Sequence, residues 1–99
     1  MPEQDRQAAR SRLSDLIAMI RTLPPHEHLA TLVAEAEALD RAIAAFHLEG
    51  IRFRMYNVDR MVARAPIQLP PEASAAVADI HRHLESAGFH TRSHSAPTQ

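Results

Sequence analysis

Seven histidines in 99 residues give this chain its most visible capacity for chemistry. They fall in clusters: His26-Glu27-His28, His81-Arg82-His83, and His90 with His94. Imidazole nitrogen is the commonest protein ligand for zinc, nickel and copper, so a transition-metal site is one reading of the pattern. Its spacing opposes the simplest version. Residues two apart on a helix point about 200° away from each other, so His81 and His83 cannot chelate one ion from a helix. Asp79 with His83 and His81 with Glu85 have helical chelating spacing, which equally suits hydrogen-bonded surface pairs. His90 and His94 have it too, but they follow Gly88 in a Ser/Thr-rich end that reads as a loose tail. His26 and His28 stand behind Pro24-Pro25 in a first helical turn, where the helix dipole favours neutral imidazole.

Arginine offers a second chemistry. All 11 basic residues are arginine, and Arg52, Tyr56, Arg60 and Arg64 follow one another at intervals of four. On a helix they wind slowly around one side. Arginine beside an aromatic ring suits a carboxylate, a phosphate or a protein hot spot. As a nucleic-acid footprint the four arginines of this stretch, Arg52, Arg54, Arg60 and Arg64, are few, and they adjoin a strongly acidic stretch. The quartet with Tyr56 is therefore read as the partner-binding surface, with anion or nucleic-acid binding a lesser alternative.

Enzyme chemistry has no signature. The chain carries no glycine-rich phosphate loop, nucleophile elbow or HExxH. Cysteine is absent, which removes disulfides, zinc–thiolate sites and thiol nucleophiles together. The longest apolar run, residues 42–46, is far short of the roughly 20 residues of a membrane span. The first ten residues, MPEQDRQAAR, lack the apolar stretch of a secretory signal. A cytoplasmic protein is the expectation.

The elements that must position these residues are set by proline. Pro24-Pro25, Pro66 and Pro70-Pro71 interrupt the helical pattern and leave three segments. Residues 4–22 carry a stripe of Leu13, Leu16, Ile17 and Ile20 that Leu23 extends. Residues 71–87 open on Pro71 and Glu72, which suit a first helical turn. They bury Ala73, Val77, Ile80, Leu84 and Ala87, then end at Gly88 with Phe89 folding back onto Leu84. Between them, residues 25–64 hold two stripes about one residue out of phase. The first is Leu29, Leu32, Ala36, Leu39, Ile43 and Phe46; the second is Leu48, Ile51, Met55, Val58 and Val62. A continuous helix here is about 60 Å long and either kinked or covered on two faces.

Charge divides the same segment. Residues 26–50 hold five acids (Glu27, Glu35, Glu37, Asp40, Glu49) against Arg41. Residues 51–70 hold four arginines (Arg52, Arg54, Arg60, Arg64) against Asp59. Antiparallel copies bring opposite signs together and parallel copies align like signs, and such charges set orientation more than affinity. With 18 alanines and four aromatic residues, a single chain also has a thin core, which a second copy remedies.

The expectation is an all-α fold. It has three helices per chain, a single domain over 1–89, a tail over 90–99, and an antiparallel homodimeric bundle held by Leu39, Ile43, Phe46, Ile51 and Met55. In the competing α+β form, the period-two alternation over 51–56 makes a short strand. The expected function is a non-enzymatic interaction module, a small scaffold or regulatory subunit that pairs with itself and another protein. No cofactor is expected, with zinc, nickel or copper through the histidines as the alternative.

Overall fold

The computed structural model describes residues 2–90. Among them the fold is all-α, with four helices: α1 (Pro2–Arg21), α2 (Glu27–Ala44), α3 (Leu48–Ala63) and α4 (Pro71–Ser86). The tail from Thr91 onward, with His94, lies outside the described residues.

The single long helix expected over 25–64 is two helices. α2 ends in a Schellman motif, in which the Phe46 N–H donates to the Ile43 carbonyl (3.2 Å) and the His47 N–H donates to the Ala42 carbonyl (3.0 Å). The left-handed residue of that motif is normally glycine; here it is Phe46, at φ 57°. The chain then reverses, and α3 returns antiparallel to α2. This explains the phase slip between the two apolar stripes, because each stripe belongs to its own helix and both face one core. Gly50, the one residue of the segment that suggested a stop, lies inside the first turn of α3. Its missing Cβ lets the helices approach closely, since a Cβ there would stand 3.2 Å from that of Ala42. Residues 51–56 are helical, so the strand alternative is overturned.

The remaining ends follow local chemistry. α1 stops before Pro24-Pro25, with the Thr22 hydroxyl donating to the Met19 carbonyl at 2.7 Å. His26 caps α2, its Nδ1 accepting the N–H of His28 at 3.0 Å. α4 starts on Pro71 and ends as its sequence predicts. Gly88 takes φ 100°, and the Phe89 N–H donates to the Leu84 carbonyl at 2.8 Å.

α1 packs mainly against α4 and α2 mainly against α3, so two helix pairs share one core. Leu13, Leu16, Leu32, Leu39, Ile43, Ile51, Met55, Val58, Ile80 and Leu84 are fully enclosed there. Four of the five residues expected to hold a second copy, Leu39, Ile43, Ile51 and Met55, are thus 0% exposed in one chain. Packing α3 back on α2 supplies the covering that a second copy was expected to provide. Only Phe46, at 61%, reaches the surface. No described helix is long and apolar enough to cross a membrane.

Candidate interaction surface

Charge pairing within the chain decides which side chains remain available. Arg6, Arg10, Arg12, Arg21, Arg54 and Arg82 each have a carboxylate oxygen between 2.7 and 2.9 Å away. Four of these pairs tie helix to helix, while Arg6–Glu3 and Arg82–Asp79 lie within one helix: Arg10 to Asp40 and Arg21 to Glu37 join α1 to α2, and Arg12 to Asp79 joins α1 to α4. Arg54 to Glu35 joins α3 to α2 at 2.9 Å, and Asn57 donates to the same carboxylate at 3.2 Å. The acidic and basic halves of the middle segment therefore meet inside one hairpin. Glu35 and Arg54 need no second copy to be neutralised, whereas Arg41, Glu49, Arg52, Arg60 and Arg64 form no ion pair among the described residues.

Four described arginines have no ion pair: Arg41, Arg52, Arg60 and Arg64. Three of them belong to the quartet expected from sequence, and all three sit on or at the end of α3. Ile51, Met55, Val58 and Val62 point α3 inward, which turns Tyr56 and Arg60 away from the core. Arg60 lies across the Tyr56 ring, its guanidinium carbon 5.3 Å from the centroid, and donates from Nη1 to the phenol oxygen at 2.6 Å. Arg64 is exposed where the helix ends, and its N–H donates to the Arg60 carbonyl. Arg52 is half-buried, and its Nε is enclosed without a hydrogen-bond acceptor. A buried guanidinium donor left unmatched is costly to the fold.

Large apolar side chains crowd the neighbouring corner. Phe46, Leu48 and Phe53 are 61%, 45% and 52% exposed, all within one eight-residue stretch around the α2–α3 turn. Phe46 has the Arg6 guanidinium over its face at 4.2 Å and Phe89 beside it, with ring centroids 6.3 Å apart. Along the hairpin beside Phe53 runs an open channel of about 610 Å³, lined by Arg41, His47, Glu49, Arg54 and small residues. In the sequence Phe53 is part of the period-two alternation with Ile51 and Met55 that suggests a strand. On a helix those two face inward and Phe53 faces out, an apolar residue on a polar side.

The histidines have other partners. His28 Nε2 donates to the Met61 carbonyl at 2.9 Å, near the end of α3. His81 is 7% exposed and holds Asp59 through Nε2 at 3.0 Å. Asp79, the proposed companion of His83, takes both Arg12 and Arg82. Among the described residues no three His, Cys, Asp or Glu side chains come together to hold a metal ion.

Asp79 also has a pH consequence. Hydrogen bonds from Arg12 first and Arg82 second hold its carboxyl below the ordinary range, and bonds from Arg6 and Gln7 do the same for Glu3. A depressed folded-state pKa stabilises the fold above the unfolded value, near pH 4, and that contribution disappears as pH falls through the depressed value. Urea unfolding at pH 6 and pH 3 checks this. The wild type loses more stability on acidification than Asp79→Asn, and equal losses would contradict the assignment.

No protein-family model, curated protein or solved structure matches this chain. Its function must be read from these surfaces.

Proposed function

We propose that the protein is a non-enzymatic interaction module, a small homodimeric scaffold or regulatory subunit that binds an acidic protein partner through the arginine–tyrosine face of α3. One observation carries the reading. Six of the ten described arginines are neutralised within the chain, while Arg52, Arg60 and Arg64 have no ion pair and sit together on or at the end of α3, with Arg60 hydrogen-bonded to Tyr56. Tyrosine and arginine are the residue types that dominate protein hot spots. A planar guanidinium also matches a carboxylate in two-point geometry.

A polypeptide suits this face better than a nucleic acid. Three arginines without an ion pair are a small footprint for a phosphate backbone, whereas a single guanidinium suffices for a two-point carboxylate contact. Catalysis is disfavoured because the charged groups along the α1–α2 groove, Arg21 with Glu37 and Asp40 with Arg10, are locked to each other.

Affinity capture from the native cell tests the reading, using wild type, Arg60→Glu/Arg64→Glu, and Arg21→Glu as a control away from α3. The proposal expects a protein captured by wild type and control and lost by the α3 variant. The same captured set from all three would overturn it.

A further inference from the structure

Resting on the homodimer proposed above, we infer that the second copy docks in the channel along the α2–α3 hairpin, with Phe53 of each chain filling the channel of the other. The channel exists because its floor is made of small residues. Ala42 and Gly50 let α2 and α3 approach closely, Ala38 and Ala45 extend the floor, and the His47 ring lies against Gly50, its Nδ1 2.5 Å from where a Cβ would stand. At its edge stands Phe53, 52% exposed. The ring is backed by the Arg54 guanidinium at 5.2 Å, and Arg54 is itself anchored to Glu35 at 2.9 Å. Phe53 is thus held outward before any partner arrives, which lowers the entropy lost on docking.

Charge identifies the occupant. Arg41 and Glu49 line the same channel, and neither has an ion pair within the chain. In a two-fold contact, residue i of one copy meets residue j of the other, and the reverse contact follows by symmetry. One surface offering both an unpaired cation and an unpaired anion beside an apolar knob and a channel floored by small residues is self-complementary. A partner carrying charge of one sign would set a like charge against Arg41 or Glu49. Residues 91–99 are a poor occupant, since Thr-Arg-Ser-His-Ser-Ala-Pro-Thr-Gln has no large apolar side chain. The apolar groove beside Ile20, Leu29 and Val33 lacks such a charge pair, so nothing there points to a second copy.

Sedimentation equilibrium on the full untagged chain tests the inference with Phe53→Ser, Arg41→Glu, Glu49→Arg, and an equal mixture of the two charge reversals. All three positions are exposed, so melting curves will stay near wild type. Phe53→Ser weakens dimerisation by about 30-fold, the effect of a hot-spot residue. Each charge reversal alone weakens it by about tenfold, because it places like charges opposite each other twice. Mixing Arg41→Glu with Glu49→Arg restores a heterodimer of near wild-type affinity, which an ion pair confined to one chain would not do. A dimer indifferent to every variant overturns the channel as the interface and leaves the homodimer reading standing. Reversals that weaken the dimer without rescue in the mixture overturn the Arg41–Glu49 pairing. A wild type that stays monomeric at 200 µM, as ~10⁻³ M or weaker self-affinity implies, overturns both.

Discussion

Ile51→Asp will yield an unfolded chain at every protein concentration, and no folded monomer. Ile51 is 0% exposed, enclosed with Met55 and Val58 of α3 and with Leu39 and Ile43 of α2. Placing an unpartnered carboxylate there costs several kcal/mol in addition to the lost apolar burial. A domain of this size has about 5–15 kcal/mol of stability, so this is a large share of the total. Leu39→Ala is the graded version, with an expected loss of about 2–5 kcal/mol. Phe46→Asp makes the contrast. Its side chain is 61% exposed, and aspartate is among the residues that tolerate a positive φ, so helical content and melting temperature change little. Far-UV circular dichroism across a dilution series separates the cases. A helical Ile51→Asp with wild-type melting would mean that the core is drawn around the wrong residues.

Arg60→Glu combined with Arg64→Glu will weaken partner binding by about 100-fold while leaving the fold unchanged. Each arginine at the centre of an interface is worth about 1–2 kcal/mol or more, and reversing its sign adds repulsion to the loss of the contact. Neither side chain has an ion pair inside the chain, so their removal frees no buried carboxylate. Arg54→Glu is the instructive comparison. It breaks the pair with Glu35 that joins α3 to α2 and so acts on stability instead of on binding. Surface plasmon resonance against the captured partner, with melting curves alongside, distinguishes the two behaviours. Equal binding by wild type and the α3 variant would contradict the recognition face.

The sequence shows where apolar stripes run more readily than what covers them. The three-and-four spacing of Leu13, Leu16 and Ile20, and of Val77, Ile80 and Leu84, places α1 and α4 within a residue or two of their observed bounds. Gly88 and Phe89 announce the end of α4 because glycine is the residue a left-handed cap prefers. The end of α2 carries no such marker. Phe46 occupies the position glycine normally takes, so the break between α2 and α3 reads as a continuing helix, and an over-long helix suggests a second copy. The same miss moved Leu39, Ile43, Ile51 and Met55 outward, when folding α3 onto α2 buries them in one chain. The pairing of Glu35 with Arg54 was equally hidden, because a charge count along the chain cannot tell an antiparallel hairpin from an antiparallel dimer. The arginine quartet was legible from spacing alone. What singles it out, the pairing of six other arginines with carboxylates, needs the tertiary fold.

The particle mass of the wild-type chain tests the central claim most directly, since a homodimeric module must associate before any partner is present. Native mass spectrometry of untagged protein, purified without chelator, reports stoichiometry and bound metal together. The account predicts a bare species of about 22 kDa, twice the 11.0 kDa chain. A bare 11.0 kDa species at all concentrations, or a mass carrying bound metal, would contradict it.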